Sequence, residues 1–521
     1  AQVRAEDAGD MGGAAGASST SVPDARDALV ELADYSLAKL SDEEATFSVH
    51  RLVQDVTRRT LPEGERLPCL RRALQWVNRA FAGNPIDVRT WPTLEPLLPH
   101  ALAIGLFADQ QEVRDSTARL MKRIGLLLEQ KSRFQEAEPL IRRALTVCEN
   151  SYGPNHPDVA SCLNTLALLL QDINRFVEAE AQIRRALAID ERSYGPDHPS
   201  VSRDLSTLAA SLRTANRLAE AESLYRRALA IDERSGGPDH PNVGRGLNNL
   251  AALLEATNRL ADAEPLYRRA LAISEKFYGP DHPEVARLLN NLASLLRATN
   301  RLAEVEPLMR RALAIEERSY GPNHPYVANC LNSIAVLLND TNRSAEAEPL
   351  YRRALAIDER AYGPDHPTVA KRLGNLAALL RSTKRLAEAE PLVRRALAID
   401  ERSYGPDHPD VATDLNNLAA LLKDTKRSAE AKALVHRALA IDERSYGPDH
   451  PDVARDLHNL AWLVQATNPL AEVEPLMRRA LGIYDGFQRE TGHAHQLAAL
   501  CRSNLRALKI GRIAAICYVS F

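Results

Sequence analysis

The chain has 521 residues, of which 26% are charged, and its formal net charge of −3 is small for that length. A nucleic-acid-binding surface usually shows a basic excess, so this composition argues against nucleic acid as the partner. The six cysteines are irregularly spaced and do not suggest a disulfide framework, which favours a reducing, cytoplasmic setting.

The first 22 residues are small and polar. After Met11 the sequence up to Ser21 consists only of glycine, alanine, serine and threonine, so it cannot bury enough apolar surface to fold. We therefore predict a disordered, low-complexity segment over residues 1–22. Neither a hydrophobic signal core nor a membrane-spanning run occurs in the sequence, and no membrane partner is expected.

From residue 23 to residue 108 the pattern of apolar residues is helical. Its landmarks are the three segments Ala33–Leu37, Phe47–Val56 and Trp91–His100. The sequence predicts a small helical region here, separate from the array that follows.

A six-residue connector, Tyr-Gly-Pro-Asp-His-Pro or its Asn variant, recurs at intervals of 42 residues. Gly236 replaces the tyrosine in one copy, and the others begin at Tyr152, Tyr194, Tyr278, Tyr320, Tyr362, Tyr404 and Tyr446. A strict period of this length indicates a solenoid in which each unit packs mainly on its neighbours. Such an array presents a long surface in place of a single pocket, which favours recognition over catalysis.

The unit that begins at Pro409 shows how one repeat is built. One apolar stripe has the i, i+3, i+4, i+7 spacing of a helix and consists of Leu415, Leu418, Ala419 and Leu422. A second stripe consists of Ala431, Leu434, Val435, Ala438 and Leu439. The polar segment 424–428 between them is short, so the two helices are expected to fold back as an antiparallel pair.

Each connector is expected to end one helix and to begin the next. Gly405 or its equivalent can take the left-handed conformation that ends a helix, and the proline after it prevents continuation. Pro409 suits the first turn of the next helix, where its missing N–H has no partner to lose. The same proline holds His408 extended in the manner of a capping residue.

These stripes, with the Gly-Pro-Asp-His-Pro connector, resemble the tetratricopeptide repeat in the longer form found in kinesin light chains. The resemblance covers roughly residues 112 to 490 in nine helix pairs, and we assign the array to residues 109–490. Leu415, Ala419 and Leu422 stand where the family commonly has Trp, Gly and Tyr, which alters the core packing and leaves the fold unchanged. The resemblance implies an all-α fold, a right-handed superhelical solenoid of about nine tetratricopeptide helix pairs preceded by a small helical, winged-helix-like region.

Residues 23–108 resemble the winged-helix tail that joins an NB-ARC type nucleotide switch to its tetratricopeptide sensor in bacterial (STAND) signalling proteins. The nucleotide-binding core of that family needs a glycine-rich loop ending in Gly-Lys-Ser or Gly-Lys-Thr, and no such string occurs here. Because the chain also opens with Ala1, we expect it to be the C-terminal part of a longer protein whose NTPase core is encoded upstream. ATP hydrolysis is therefore not expected of this chain.

No catalytic, cofactor-binding or metal-binding residues are predicted. Neighbouring repeats stack about 8–10 Å apart or more, so the histidines of adjacent connectors are too far apart to share a metal ion at ~2 Å. His493 and His495 form only a weak metal pair without a third ligand. Acidic residues such as Glu264, four residues before Arg268, have the spacing of a solvated helix face. The sequence does not indicate an enzyme.

The first helices carry a second stripe that the core does not use, and in tetratricopeptide arrays this stripe lines the concave groove. Along the array it supplies the candidate peptide-binding residues Asn164, Arg203, Arg245, Asn248, Asn249, Arg287, Asn290, Asn291, Arg297, Asn332, Lys371, Asn375, Asn416, Asn417, Arg455 and Asn459. At the position of Arg297, one helical turn further on, other repeats have Arg213, Arg381 and Lys423.

Asparagine has both a donor and an acceptor, so a ladder of asparagines can hold the backbone of an extended peptide whatever its sequence. The cations add a preference for acidic side chains or a free carboxylate. The alternative is structural: the asparagines hydrogen-bond between neighbouring repeats, and the cations are ordinary surface. Two functional hypotheses follow, a non-catalytic scaffold that binds extended, acidic peptide segments, and a ligand-sensing, autoregulatory arm of an NB-ARC type switch.

The repeat pattern decays after residue 490. Where the next connector would fall, the chain reads Gln488–His495, and one more amphipathic helix follows from about Gln496 to Leu508. A solenoid needs such a terminal helix to shield its last apolar face. We assign residues 491–521 to this capping helix and an apolar tail.

Overall fold

The computed structural model describes residues 3–4, 38–41, 46–49, 62–465 and 472–509. The chain divides into two compact units. One unit comprises residues 1–130 and 135–154, and the other comprises residues 131–134 and 155–521.

The first unit contains a small antiparallel sheet of three short strands, β1 (Val3–Arg4), β2 (Ala38–Ser41) and β3 (Thr46–Val49). The central strand is β3, in which Phe47 pairs with Val3 on one side and Leu40 on the other. The prediction of helix at Phe47 is therefore wrong. Residues 46–49 alternate polar and apolar side chains and include a β-branched and an aromatic residue, which is the pattern of a strand.

Only two of residues 1–22 are described, Val3 and Arg4, and they form β1. The prediction of disorder for the rest of that segment lies outside the described residues, as does the apolar tail after residue 509.

The other elements described in the first unit are helical, as predicted for the region before the array. It contains α1 (Glu63–Ala80), α2 (Trp91–Gln110), α3 (Asp115–Gln130) and α4 (Phe134–Tyr152), whose first residue belongs to the second unit. Helices α1, α2 and α3 pack on one another. The buried Trp91 donates its indole N–H to the carbonyl of Pro85 at 2.9 Å, which fixes the start of α2.

The second unit is a series of helix pairs. Their bounds are α5 (Pro157–Asp172), α6 (Phe176–Tyr194), α7 (Pro199–Thr214), α8 (Leu218–Gly236), α9 (Pro241–Ala256), α10 (Leu260–Tyr278), α11 (Pro283–Ala298), α12 (Leu302–Tyr320), α13 (Pro325–Asp340), α14 (Ser344–Tyr362), α15 (Pro367–Ser382), α16 (Leu386–Tyr404), α17 (Pro409–Asp424), α18 (Ser428–Tyr446), α19 (Pro451–Val464) and α20 (Val473–Thr491). With α3 and α4 as repeat 1, the described residues form nine repeats, and the predicted nine helix pairs are confirmed. A final helix, α21 (Ala498–Lys509), falls where the capping helix was predicted.

The core of each repeat is the apolar stripe that the sequence predicts. In repeat 8, Leu415, Leu418, Ala419 and Leu422 are all buried. Val411, Ala412 and Leu415 of α17 pack against Ala438 and Ile441 of α18. Equivalent clusters occur in repeats 3 to 7, so one packing solution is repeated along the array.

The turn between the two helices of a repeat depends on one residue with positive φ. Asn174 has a φ of +62°, and an asparagine takes this position in repeats 2 to 6. The next N–H, that of Arg175, bonds to the carbonyl of Leu170 at 2.8 Å and so satisfies the end of the first helix. Asparagine tolerates this left-handed conformation better than most residues do.

The connectors behave much as predicted, with one difference at the glycine. Gly405 has a φ of +89° and a ψ of +164°. Its φ is positive, as expected, but its ψ is extended, so it lies outside the left-handed helical region. This region of backbone conformation is accessible essentially only to glycine, which explains the residue at this position.

The connector histidines cap the first helices. His408 is extended, with a φ of −86° and a ψ of +146°, and its Nδ1 accepts a hydrogen bond from the N–H of Asp410 at 3.1 Å. The ring stacks on Tyr404, with centroids 4.2 Å apart. All eight connector histidines accept the equivalent bond. His495 also does so, since its Nδ1 accepts from the N–H of Leu497 at 3.2 Å before α21.

Replacing a capping histidine should weaken its repeat. His282→Ala removes an acceptor for the N–H of Glu284, 3.2 Å away, and should cost about 1 kcal/mol. His282→Asn keeps an acceptor but loses the stacking on Tyr278, so it should lie between the wild type and the alanine variant. Urea unfolding measures both. Equal losses in the two variants would show that capping is not what the histidine contributes.

A column of polar side chains is buried inside the array. It follows the isoleucine of each second helix and consists of Asp190, Asp232, Ser274, Glu316, Asp358, Asp400 and Asp442. Fourteen positions after each residue of this column, the chain has reached the first helix of the next repeat, and the residue there differs widely between repeats. These residues are Asp204, Gly246, Leu288, Cys330, Arg372, Asp414 and Asp456.

Each residue of the column and the residue fourteen positions later form a junction between two repeats, and only one of these junctions is an ion pair. Asp358 accepts from the Nε of Arg372 at 2.7 Å, and both side chains are buried. Where both positions are aspartate, burial raises the pKa values. The pKa of Asp400 is raised to about 8 and that of Asp414 to about 9, in each case chiefly by burial and further by neighbouring carboxylates. At neutral pH, burial therefore favours the protonated form of Asp400 and of Asp414 in the folded array.

Candidate functional site

The predicted second stripe runs along the first helices beside the core stripe, and three of its asparagines, Asn248, Asn416 and Asn459, are buried. First helices of successive repeats contact each other from α5 to α19, so their outward side chains form one continuous surface. We call this surface, made by the unburied positions of α5, α7, α9, α11, α13, α15, α17 and α19, the first-helix face.

Most of the predicted asparagines bond from one repeat to another. The amide of Asn291 donates to Asn248 at 2.7 Å, and that of Asn375 donates to Asn332 at 2.9 Å. In each pair the acceptor belongs to the preceding repeat. The ladder therefore joins consecutive first helices side by side.

Three further asparagines donate to the following repeat. Asn164 donates to Asp204 at 2.7 Å, Asn416 donates to Asp456 at 2.8 Å, and Asn290 lies 3.2 Å from the sulfur of Cys330. With the two asparagine pairs, seven of the ten predicted asparagines thus take part in bonds between repeats. Their contact with a peptide stays a prediction, and repeat packing already explains their recurrence.

The three remaining asparagines differ in access. Asn459 is fully buried, whereas Asn249 and Asn417 are half-buried. Asn249 accepts only a long bond, 3.5 Å, from the neighbouring Asn248. Asn249 also lines a cavity on this surface.

Several predicted cations are already paired with carboxylates. Arg287 lies 2.8 Å from Glu284, Arg297 lies 2.8 Å from Asp340, and the Nζ of Lys371 lies 3.5 Å from Asp410. Arg455 is largely buried among three aspartates at 442, 452 and 456. A ligand would have to compete with these internal partners.

The cations of repeats 3 and 4 are different. Arg203 makes only long contacts with carboxylates, 3.5 Å to Asp190 and 3.6 Å to Asp204. Within the described residues, neither Arg213 nor Arg245 forms an ion pair with a carboxylate within 4 Å. Arg245 acts electrostatically on the buried Asp232, whose pKa is raised chiefly by burial. Arg213 lies beside the hydroxyl of Tyr225, whose pKa is raised chiefly by burial.

These three arginines share one cavity. It has a volume of about 370 Å³ and is lined by Leu168, Gln171, Arg203, Ser206, Thr207, Ala210, Arg213, Tyr225, Arg245, Asn249 and Ala252. The same helix position supplies Leu168, Ala210 and Ala252, which form an apolar strip between the arginines, and Leu168 is 46% exposed. The arrangement offers fixed guanidinium donors beside a small apolar surface.

In the part of the chain that the structure describes, no group of three or more His, Cys, Asp or Glu residues could hold a metal ion. No helix among the same residues is both long and apolar enough to cross a membrane. Glu264 and Arg268 form the expected surface pair at 2.7 Å.

Sequence reasoning missed the buried aspartate column, although a signal for it exists. Asp442 lies four residues after Ala438 and Asp414 lies four residues before Leu418, so the helical spacing puts both on core stripes. The absence of ion pairs at Arg213 and Arg245 could not be read from the sequence. It depends on which acidic residues lie within reach in neighbouring repeats.

Comparison with known proteins identifies the repeats. The tetratricopeptide repeat family matches residues 116–192, 166–234, 205–276, 242–315, 306–360, 343–402, 368–435 and 415–486. A domain of unknown function, DUF7779, matches residues 10–66. A nucleotide-binding leucine-rich repeat (NLR)-like protein of Hyaloscypha variabilis is 29% identical over 139 residues, which are 26% of this chain and 14% of that protein. The chain thus aligns with only about one seventh of that relative's length.

Two solved structures are similar to part of this chain. The nearly identical TPR-like repeats of a putative kinesin light chain from Podosopora anserina are 22% identical and cover 39% of this chain and 96% of that one, with a TM-score of 0.34. BtubC (BKLC) from P. vanneervenii is 25% identical and covers 45% of this chain and 92% of that one, with a TM-score of 0.36. Because the family matches span most of the sequence, this chain belongs to the tetratricopeptide repeat family.

Proposed function

We propose that this chain is a non-catalytic protein-interaction scaffold whose first-helix face binds an extended, acidic peptide segment. The repeat family supports the scaffold role. The observation that carries the preference for acidic ligands is the cavity shared by Arg203, Arg213 and Arg245, two of which form no ion pair within 4 Å among the described residues.

The chemistry of the cavity suits a carboxylate. Arginine presents its donors in a planar fork that matches the two oxygens of a carboxylate, and such charge-assisted bonds are stronger than neutral ones. Asn249 and Thr207 line the same cavity and supply neutral donors and acceptors. The apolar strip at Leu168, Ala210 and Ala252 provides contact for an uncharged side chain of the same ligand.

The predicted asparagines away from the cavity have a narrower part in this proposal. Because seven of them bond between repeats, we assign them to holding the first helices in register. The paired cations, such as Arg287 and Arg297, lie on the same first-helix face. To bind a ligand carboxylate, each would have to release its internal carboxylate partner.

The alternative function is a ligand-sensing, autoregulatory arm of a nucleotide-driven switch. The partial match to an NLR-like protein favours it. The genomic DNA upstream of Ala1 tests it, since the alternative requires a reading frame that encodes a phosphate-binding loop. A cytoplasmic location fits either role, and the free thiols of Cys69, Cys330 and Cys501 agree with a reducing compartment.

Peptide selection tests the scaffold proposal. A random-peptide display selection on the full chain should enrich sequences with Asp, Glu or a free C-terminal carboxylate, and Arg213→Gln with Arg245→Gln should abolish that enrichment. The matched control is Arg226→Gln with Arg268→Gln, which removes two charges from the second helices where each arginine is paired with a glutamate. Equal enrichment on both variants would place the binding surface elsewhere.

A further inference from the structure

Repeats that are six apart in sequence touch each other within the second unit. The ring of Phe134 stacks on that of Tyr404 with centroids 5.4 Å apart, and Phe176 stacks on Tyr446 at 5.9 Å. In both pairs the phenylalanine begins a second helix, and the tyrosine is the first residue of a connector. These residues, Phe134 included, belong to one compact unit.

Hydrogen bonds also join early repeats to late ones. Asn174 donates to the hydroxyl of Ser445 at 2.7 Å, and Asn258 donates to the carbonyl of Ala494 at 3.1 Å. Each donor is the positive-φ residue of a turn inside a repeat. The contacts therefore join the turns of repeats 1, 2 and 4 to the connector edge of repeats 7 to 9.

Two connector histidines make further bonds between distant repeats, and their capping role sets which ring nitrogen carries the proton. The Nδ1 of His408 is an acceptor for the N–H of Asp410, so in the neutral ring the proton is on Nε2. This Nε2 lies 3.1 Å from the carbonyl of Asp172 in repeat 2. His366 is held in the same tautomer by Thr368, and its Nε2 lies 3.1 Å from the hydroxyl of Ser132.

The sequence departs from the repeat pattern where these contacts occur. Phenylalanine begins the second helix only in repeats 1 and 2. The same position in repeats 3 to 8 is Leu218, Leu260, Leu302, Ser344, Leu386 and Ser428. The two aromatic exceptions are the residues that stack on Tyr404 and Tyr446.

Repeat 3 makes a looser contact. Its helix α8 touches α20 of repeat 9. Leu218 and the connector from Tyr446 to His450 line a cavity of about 530 Å³. The tight stacking is thus specific to the two phenylalanines and is absent at this neighbouring position.

We propose that these contacts form a lock between early and late repeats, in which Phe134 and Phe176 are the specific elements. Opening the lock separates residues 131–134 and repeats 2 to 4 from repeats 7 to 9 and leaves the adjacent repeats of the second unit packed. The array then has a closed and an open state whose balance depends on a few exposed-edge contacts and not on the core.

Distance measurement between spin labels tests the lock in the full chain. Labels at Val177, which is 86% exposed, and at Asp449 report on the separation between repeat 2 and the connector after repeat 8. The wild type should give one short, narrow distance distribution. Phe134→Leu with Phe176→Leu should add a longer component, because each stacked pair shifts the closed-to-open ratio by about two- to twelvefold.

Leucine is the residue of repeats 3, 4, 5 and 7 at this position, so these variants are designed to keep the helix pair folded. The matched control, Leu302→Ser with Leu386→Ser, uses the same helix position in repeats 5 and 7 and should leave the distribution unchanged. Asn174→Gly, which keeps the positive φ but loses the bond to Ser445, should lengthen the distance to a smaller extent. A wild type that already shows the long distance, or a phenylalanine variant that matches the wild type, would overturn the proposal.

Discussion

Replacing Asp400 by Ser together with Asp414 by Leu is expected to stabilise the array, and more strongly at pH 8 than at pH 5. Ser274 and Leu288 occupy the equivalent positions three repeats earlier and are both buried, so this chain already shows that the pair fits. The change removes two buried carboxyl groups that lack a cationic hydrogen-bond partner in the described structure.

The sign of the pH dependence follows from the direction of the pKa shifts. The pKa values of Asp400 and Asp414 in the folded state, about 8 and about 9, lie above the ordinary value of 3.8. Below pH 4 both states hold these protons, and the pair costs no ionisation energy. As the pH rises from 4 through 8 to 9, the unfolded chain loses its protons first, so folding stability falls over that window.

Urea unfolding at pH 5 and pH 8 measures this effect. We expect the double variant to gain roughly 2–4 kcal/mol at pH 8 and less at pH 5. Asp449→Ser, at an exposed connector position, is the control and should change neither value by more than ~0.5 kcal/mol. An equal gain at both pH values would contradict the titration account, and a loss at pH 8 would contradict the burial account.

Replacing Arg372 by Met is expected to destabilise the array by about 3–5 kcal/mol. Arg372 is the cation in the buried ion pair with Asp358, and it also donates to Asn329 of the preceding repeat. Methionine leaves Asp358 buried without its partner, and burial already raises the pKa of that carboxyl. The exposed Arg360→Met serves as the control with little effect.

The double variant Asp358→Ser with Arg372→Leu should recover most of that loss. It again installs the side chains found at Ser274 and Leu288, so no charge stays buried at the junction. Thermal unfolding of the single and double variants measures the recovery. If the double variant is no more stable than Arg372→Met, the loss arises from packing of the arginine stem and not from the unpaired carboxyl group.

The sequence predicts the array well because its information is periodic. The 42-residue connector and the stripe at Leu415, Leu418, Ala419 and Leu422 specify helix pairs whose cores involve only neighbouring repeats. The capping role of His408 was also readable, since it follows from local chain geometry. The strand at Phe47 was missed because a short alternating segment carries little signal beside a longer helical pattern.

The candidate site could be predicted only in part. Sequence places Asn291 and Asn248 on one face but cannot show that their side chains lie 2.7 Å apart in adjacent repeats. In the same way the sequence makes Arg245 and Arg287 equivalent. Glu284 pairs with Arg287 at 2.8 Å, whereas Arg245 forms no ion pair within 4 Å in the described residues. Contacts such as Phe176 with Tyr446 join repeats six apart, and a period that describes neighbours does not predict them.

Calorimetric titration of one selected peptide into the full chain tests the central proposal most directly. The wild type should bind one peptide per chain with an affinity that falls as salt is added. Arg213→Gln with Arg245→Gln should weaken binding at least about tenfold, while Arg226→Gln with Arg268→Gln should leave it unchanged. Binding that is equally tight in all three proteins, or that does not respond to salt, would contradict an acidic ligand on the first-helix face.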